Sequence, residues 1–307
     1  MNMRPIVLIG NVNVDLILGP VTPWPVPGTE VIVPHDDLRP GGAAGNAALA
    51  LAGLAVPFTI ASNVGNDAFG RWLTDALAPH SQGWTISASG TTVSVGLTHP
   101  GDERTFFTTK GHLADLAWPE VSRQLTGQRG GIVLLCGCFL MDGLTQDYPA
   151  LFDWAAGHGF DVALDPGWPV GGWTNAELAR VTGWLGHTRH LLINEIEALA
   201  LSGRDSIDAA LTTLAAWMPQ GATVVVKAGG LGAYGLRGGT PARAIAPAVS
   251  VIDTIGAGDI FNAGYLLAEA AGASLPTALA SGVSLASRAI STAPRLYTRS
   301  PHIEGAA

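Results

Sequence analysis

The chain has 307 residues, a formal net charge of −8 and only 16 Lys and Arg residues. Because it has no basic run, nucleic-acid binding is disfavoured. The longest nearly apolar stretches, Ala47–Val56 and Ile132–Leu140, are well short of the roughly 20 residues that a membrane-spanning helix needs. Met1–Gly10 predicts a buried first strand and no signal peptide. These features predict a cytoplasmic protein in which Cys136 and Cys138 lie on the same face of one strand and are reduced.

Short apolar runs alternate with helical segments along most of the chain. Strands are predicted at Ile6–Gly10, Thr59–Asn63, Ile132–Cys136, Asp161–Asp165, Leu191–Asn194 and Thr223–Lys227. Helices are predicted at Ala43–Leu54, Tyr148–Gly157, Asn175–Leu185, Glu195–Ser202 and Ile207–Met218. This alternation predicts an α/β fold with a doubly wound, mostly parallel sheet and helices on both faces.

Two segments interrupt the alternation. Leu18–Leu38 is rich in proline, and Thr91–Lys110 alternates polar and apolar residues around a turn at Pro100–Asp102. We expect them to form a small antiparallel sheet inserted into the α/β body, with surface loops and an edge hairpin as the alternative. In the absence of an internal repeat or a linker, the sequence predicts one domain over residues 1–307, with lid segments at about 12–40 and 90–110.

The strongest local motif is Asp253-Thr254-Ile255-Gly256-Ala257-Gly258-Asp259, which follows a β-prone segment, Ala248–Ile252, and precedes an apolar helix. Glycines at a helix start allow backbone N–H groups to converge on an anion, which the helix dipole also stabilises. A carboxylate beside such a hole is chemically useful if Asp259 accepts the proton of an attacking hydroxyl. The motif alone is equally consistent with an Asp that caps a helix after a glycine-rich turn.

Two motifs near the N-terminus are candidates for binding a polar substrate. Gly41-Gly42-Ala43-Ala44-Gly45-Asn46 would bring backbone N–H groups and the Asn46 amide close to a ligand, although tight helix packing also explains its glycines. Asp15 follows the first predicted strand, at the edge where α/β proteins bind ligands, and could accept two hydroxyls. A solvated turn is the alternative for Asp15.

Two later motifs are candidates for binding a nucleotide. Asn194 and Glu197 could hold waters of a nucleotide-bound Mg²⁺, or they could simply begin a helix. Lys227-Ala228-Gly229-Gly230-Leu231-Gly232 could pass close to a nucleotide, or it could form a β-hairpin turn. No GxxxxGK[ST] motif is present, so a P-loop is excluded.

Together and in this order, the motifs resemble the PfkB, or ribokinase-like, carbohydrate kinases over about residues 6 to 290. Gly41–Gly53 is similar to the family's first pattern, Asp253–Leu266 to its more specific second pattern, and Asn63–Gly70 to its VGxDxFG turn. The resemblance implies an ATP-dependent, Mg²⁺-dependent kinase that phosphorylates a hydroxyl of a sugar or sugar-like molecule. It also implies a β-sheet lid over the sugar site. If Leu18–Leu38 and Thr91–Lys110 form that lid, an apolar far face could pair with the lid of a second copy, so we expect a homodimer.

The resemblance further implies a role for individual residues. Asp259 would be the general base, and the backbone of Gly256, Ala257 and Gly258 would form the anion hole. Asp15, Gly42 and Asn46 would bind the sugar. The lid hypothesis adds Arg104, which would either reach the substrate or phosphate from the lid or remain a solvated hairpin charge. The resemblance places Mg²⁺ and phosphate at Asn194 and Glu197, and the nucleotide loop at Gly229 and Gly232. It places a monovalent cation such as K⁺ at Asp253 and the Ile255 carbonyl. Lys227 is a further candidate for nucleotide binding because it begins the same glycine-rich motif.

The sequence departs from the family pattern in several places. Lys227 stands where the family often has a small hydroxyl residue, and the segment after Asp165 lacks an Arg that acidic sugars would require. Ala286–Pro301 matches only weakly, so it assigns no adenine contacts. A nucleoside kinase of the same fold remains an alternative, as does a ligand-binding member without catalysis.

Overall fold

The computed structural model describes residues 3–100 and 104–298. The strands are β1 (Ile6–Gly10), β2 (Asn13–Gly19), β3 (His35–Gly41), β4 (Thr59–Ala61), β5 (Asn63–Gly65), β6 (Thr85–Ser87), β7 (Val93–Thr98), β8 (Arg104–Thr108), β9 (Gly131–Cys136), β10 (Phe160–Asp165), β11 (His190–Asn194), β12 (Thr223–Lys227), β13 (Ala233–Arg237) and β14 (Thr240–Ala244). The α-helices are α1 (Ala43–Gly53), α2 (Ala68–Ala76), α3 (Trp118–Gln124), α4 (Asp142–Gln146), α5 (Tyr148–Gly157), α6 (Asn175–Leu185), α7 (Glu195–Ser202), α8 (Ile207–Ala216), α9 (Ala257–Ala270) and α10 (Leu275–Ile290).

A large sheet forms the centre of the molecule, with the strand order β14-β13-β12-β11-β10-β9-β1-β4. Neighbouring strands from β4 to β12 are parallel, whereas β13 and β14 pair antiparallel at one edge. The predicted α/β fold with a mostly parallel sheet is therefore confirmed. Because all the parallel strands end at the same edge, the residues that follow them are brought together there.

Helices cover both faces of this sheet, as predicted. Alternate residues of β1 belong to different core clusters, since successive strand side chains point to opposite faces. Ile6 and Leu8 pack with residues of α1, α9 and α10, whereas Val7 and Ile9 pack with residues of α3 to α8. The first of these clusters lies beneath the start of α9 and so supports the glycine-rich motif.

A second, smaller sheet has the order β3-β2-β7-β8 and is called the lid below. The prediction of a small inserted sheet is confirmed, but its pairing is mixed, because β2 and β7 run parallel. In the antiparallel pair of β2 and β3, Asp15 lies opposite Arg39, so the two side chains share one face of the lid. The predicted turn at Pro100–Asp102 falls partly outside the described residues.

Two further predictions need correction. Ala248–Ile252 forms no strand, because its β-prone side chains border a cavity instead of entering a sheet. Cys136 and Cys138 do not share a face of one strand: β9 ends at Cys136, and the two thiols lie in different core clusters. Both are free and buried.

Among the described residues, no helix has both the length and the apolar character needed to cross a membrane.

Candidate active site

The glycine-rich motif forms the N-terminal turn of α9. Gly256 caps this helix with φ 76°, a left-handed conformation that glycine adopts without strain. A Cβ on Gly256 would lie 2.7 Å from the Asn46 Nδ2 atom, so the glycine also makes room for that amide. Asp259 lies in the first turn of α9 and is not its N-cap. The capping alternative for Asp259 therefore does not apply.

The Asp259 carboxylate accepts a hydrogen bond of 3.0 Å from Asn46 Nδ2. Burial raises the pKa of Asp259 to about 7, and the nearby negative charge of Asp165 adds to this effect. Lys227 and the Asn46 hydrogen bond act in the opposite direction. A carboxylate whose pKa is near neutrality is well suited to accept a proton and to release it again.

Asp15 lies at the base of the lid, where it is buried. Asn13 Nδ2 donates to Asp15 Oδ1 at 2.7 Å, which leaves the other carboxylate oxygen available to a ligand. Gly41 is required beside it, because a Cβ there would overlap the Asp15 carboxyl group. Burial raises the pKa of Asp15 to about 6.

Gly42 joins the lid to α1 with φ 85°. A Cβ on Gly42 would come within 2.4 Å of the Asn11 carbonyl oxygen and 2.6 Å of Asn13 Oδ1. Asn11 in turn accepts a hydrogen bond of 3.0 Å from the Ala43 backbone N–H. This close packing fixes the start of α1, and with it the position of Asn46 beside Asp259.

Lys227, at the end of β12, belongs to a buried polar network. Its Nζ lies 2.5 Å from Asp165 Oδ2 and 3.3 Å from Asn262 Oδ1. The Asn262 amide nitrogen donates to the same Asp165 oxygen at 2.5 Å. Burial alone would lower the pKa of Lys227, but the charges of Asp165 and Glu197 outweigh burial and raise it. The network therefore holds a charged ammonium group at the carboxyl edge of the sheet.

The sequence prediction included neither Asp165 nor Asn262 among the site residues. Two signals were available: Asp165 ends a buried strand, and Asn262 is a buried polar residue three positions after Asp259 in a mostly apolar helix.

Asn194 and Glu197 form a capping box at the start of α7. The Asn194 side chain accepts from the Glu197 N–H at 2.8 Å, and Glu197 Oε2 accepts from the Asn194 N–H at 3.1 Å. Burial and the charge of Asp165 raise the pKa of Glu197. Both residues therefore begin a helix, which was the alternative considered for them in the sequence. The second carboxylate oxygen of Glu197 takes no part in the capping box.

Two cavities meet at this edge of the sheet. The polar cavity has a volume of 380 Å³ and is lined by Asp165, Asn194, Glu197, Lys227 and Asp259 together with the backbone of Gly256, Ala257 and Gly258. The apolar cavity has a volume of 480 Å³ and shares Lys227, Gly229, Thr254, Ala257 and Gly258 with the polar one. Its outer wall contains Val249, Val251, Phe261, Val283 and Ile290.

Asp253 holds two guanidinium groups. Its Oδ2 accepts from Arg39 Nη1 at 2.5 Å and from Arg295 Nη2 at 2.6 Å, while Oδ1 accepts from the Ile255 N–H at 2.8 Å. Arg295 Nη2 also donates to the Ile255 carbonyl oxygen at 2.5 Å. Burial alone would raise the pKa of Asp253, but these donors outweigh burial and lower it. Neither arginine was among the predicted site residues.

Arg104, the first residue of β8, reaches the same loop from the lid. Its guanidinium donates to the Thr254 hydroxyl, and the side chain borders a small cavity with Thr98, His99 and residues 251–255. The structure thus brings Arg104 to the segment that precedes the glycine-rich turn of Gly256–Gly258.

A doubly wound α/β sheet, a small β-sheet lid and a carboxylate in the first turn of a glycine-capped helix define a ribokinase-like protein. The chain belongs to the pfkB family of carbohydrate kinases, whose family model matches residues 3–294.

Solved structures show the same fold. A PfkB protein from Polaromonas sp. JS666 has a TM-score of 0.78 at 21% identity, over 95% of this chain and 97% of that one. Arabidopsis thaliana ribokinase complexed with ribose and ATP gives 0.74 at 23% identity, over 96% and 95% of the two chains. A double mutant of Vibrio cholerae O395 fructokinase, bound to fructose, ADP and a potassium ion, gives 0.75 at 23% identity, over 95% and 94%.

Proposed function

We propose that this protein is an ATP-dependent kinase that transfers the γ-phosphoryl group of ATP to a hydroxyl of a sugar or sugar-like molecule. The observation that carries the proposal is the position of Asp259. Its carboxylate lies in the glycine-capped first turn of α9, contacts Asn46 and borders the polar cavity. A single group there can face both an acceptor hydroxyl and a phosphate held by the N–H groups of the helix start.

The apolar cavity suits the nucleotide. Aliphatic and aromatic side chains form its outer wall, whereas Lys227, Gly229, Gly232 and the start of α9 form its inner end. A base placed against the outer wall would direct its phosphates toward the anion hole of Gly256, Ala257 and Gly258. Lys227 would add a fixed positive charge there, since its Nζ would lie 3.4 Å from a Cβ placed on Gly258.

The polar cavity suits a nucleotide-bound Mg²⁺. Asp165, Asn194 and Glu197 line it with carboxylate and amide oxygens, which are the ligand atoms that Mg²⁺ accepts directly or through its waters. The raised pKa values of Glu197 and Asp259 reflect burial and crowded negative charge, which a dication would relieve. When bound, Mg²⁺ would neutralise charge on the phosphates.

The acceptor substrate fits between the lid and α1. Asp15, Gly42 and Asn46 would position its hydroxyls, and Arg104 would lie at the rim of the same region. Asp259 would take the proton of the attacking hydroxyl as the bond to phosphorus forms. The lid would exclude water, which otherwise competes with the substrate as the acceptor of the phosphoryl group.

The experiment that tests this proposal measures ADP formed from ATP and Mg²⁺ with a panel of sugars, sugar acids and nucleosides. We expect substrate-dependent ADP release with one group of sugars, and release about 10²–10⁴-fold slower from the Asp259→Asn variant. Release with nucleosides alone would assign the protein to nucleoside kinases of the same fold. Substrate binding by calorimetry without any ADP release would show a ligand-binding protein and contradict the proposal.

We also infer that two copies pair through the lid. Large apolar side chains are exposed on or next to it: Ile32 is 92% exposed, Trp24 56%, Phe107 53% and Phe106 46%. Pairing of two lids would bury this surface, and exposed apolar patches of this kind mark interaction sites. Light scattering at micromolar concentration is expected to give the mass of a dimer, and a monomer would remove the inference.

A further inference from the structure

The loop that precedes the anion hole contains the two groups at which the family resemblance predicts a monovalent cation. They are the Asp253 carboxylate and the Ile255 carbonyl oxygen. In this structure a single nitrogen atom, Arg295 Nη2, lies 2.6 Å from Asp253 Oδ2 and 2.5 Å from the Ile255 oxygen. The positively charged side chain of Arg295 thus bridges the Asp253 carboxylate and the Ile255 carbonyl.

The other contacts of Asp253 and Ile255 also disfavour the binding of an added K⁺. Asp253 Oδ2 also accepts from Arg39, and Asp253 Oδ1 accepts from the Ile255 N–H. Both carboxylate oxygens and the carbonyl are therefore already engaged. An added monovalent cation would have to approach two guanidinium groups, whose charge repels it.

The chain delivers Arg295 through an anchored segment after α10. Arg288 Nη1 donates to the Tyr297 carbonyl oxygen at 2.7 Å, and the Leu296 N–H donates to Thr292 Oγ1 at 2.9 Å. The Tyr297 ring packs so closely on α1 that a Cβ at Gly53 would overlap it. The Arg295 side chain is 14% exposed. The segment is thus held between α10 and α1, and the guanidinium is directed inward.

We infer that Arg295 is a built-in cation that takes the place of K⁺ beside the anion hole and makes the kinase independent of monovalent cations. The inference rests on the proposed kinase activity. Arg295 acts as a positioning residue, since it neutralises Asp253 and fixes the Ile255 peptide, from which the chain enters Gly256. The guanidinium is planar and permanently charged, so the loop would be ordered without any dissolved ion.

The first experiment compares the wild-type protein in the chlorides of K⁺, Na⁺ and tetramethylammonium at equal ionic strength. ADP is separated and quantified directly, so that no coupling enzyme adds its own cation dependence. An effector that acts through a coupled site typically changes its partner's affinity by about 5–150-fold. We expect rates that differ by less than about fivefold, the lower end of that range. A larger preference for K⁺ in the wild-type protein would overturn the inference.

The second experiment uses Arg295→Ala and Arg295→Lys. Arg204→Ala is the control, because Arg204 is exposed and its side chain donates to the Thr213 hydroxyl at the surface. Arg295→Ala opens the position, so we expect it to lose activity in tetramethylammonium and to recover activity when K⁺ is added. Arg295→Lys keeps a charge and is expected to remain indifferent to K⁺. Full activity of Arg295→Ala in tetramethylammonium would contradict the inference.

Thermal unfolding gives a readout that needs no turnover. Potassium at about 100 times its dissociation constant is expected to raise the Tm of Arg295→Ala by about 4 °C and to leave the wild-type Tm unchanged. If no substrate is ever phosphorylated but this pattern holds, the proposed function fails while the built-in cation stands. If the wild-type Tm rises with K⁺, the built-in cation fails. Should Arg295→Ala not fold, the wild-type and Arg295→Lys measurements decide the question.

Discussion

The ion pair of Lys227 and Asp165 gives the most quantitative prediction for stability. Their side chains are 12% and 9% exposed, with the Lys227 Nζ atom 2.5 Å from Asp165 Oδ2. Lys227→Met keeps the length of the side chain and removes its charge. Among the described residues, Asp165 then retains only Asn262 as a side-chain donor. Removing one partner of a buried pair costs about 3–5 kcal/mol, because a charge is left without compensation.

The expected change in melting temperature follows from the size of the chain. With an unfolding entropy of about 2.1 cal/mol/K per residue, a chain of 307 residues loses about 1.5 °C for each kcal/mol. Lys227→Met should therefore lower the Tm by about 5–8 °C in scanning calorimetry. The double variant Lys227→Met with Asp165→Asn should recover most of this loss in Tm, because the neutral amide leaves no unpaired charge in the interior. A single variant that melts within about 1 °C of the wild-type protein would refute the reasoning, as would a double variant no more stable than Lys227→Met.

The same substitution also affects the chemistry. Lys227 lowers the pKa of Asp259, so the loss of its charge should move the acid limb of kcat/KM to higher pH. If the variant is less stable but the acid limb of its kcat/KM profile lies at the same pH as in the wild-type protein, Lys227 does not influence the pKa of Asp259.

Three further predictions follow from the site. Burial raises the pKa of Asp259 to about 7, and a general base must be ionised to accept a proton. We therefore expect kcat/KM to fall about tenfold for each pH unit below that value. A kcat/KM that stays level down to pH 5 would show that Asp259 is not the general base. Because the folded protein raises that pKa to about 7 from the ordinary value of about 4 for an Asp side chain, the fold loses stability as the pH rises from about 4 to about 7, and the full loss persists above pH 7. Asp259→Asn should therefore raise the Tm at pH 8 and raise it less at pH 5. Gly41→Ala should raise the KM for the acceptor substrate about tenfold or more, because the new Cβ overlaps the Asp15 carboxyl group, and leave the KM for ATP unchanged. The matched control is Gly183→Ala in α6, where the new Cβ would meet open space. This variant should raise the Tm by about 1–2 °C. Equal effects of the two glycine variants on the KM for the acceptor substrate would contradict the role of Asp15 in substrate binding.

Local signals predicted several elements accurately. The predicted bounds of α6 and α7 agree with the structure. Thr174 caps α6, and Asn194 with Glu197 forms the capping box of α7. Such side-chain caps depend on residues three positions apart and can therefore be recognised from sequence alone. The glycine-capped start of α9 belongs to the same group.

Features that depend on distant parts of the chain could not be predicted in this way. The network of Lys227, Asp165 and Asn262 joins two strand ends and a helix separated by up to 97 positions. Arg39 and Arg295 approach Asp253 from the lid and from the segment after α10. Ala248–Ile252 has the composition of a strand, yet the structure forms no strand at these residues. Propensity describes a local preference, which tertiary context overrides.

The central claim is that Asp259 takes the proton of the acceptor hydroxyl, and kcat of Asp259→Asn on the identified substrate tests it most directly. Asn preserves the shape of the side chain and removes its capacity to accept a proton from the hydroxyl. A positioned general base contributes about 10²–10⁴-fold to a rate, so we expect kcat to fall within that range. The affinity for ATP, measured by calorimetry, should be unchanged or slightly higher, because one negative charge near the phosphates is removed. A variant that keeps more than about a tenth of the wild-type kcat would contradict the account.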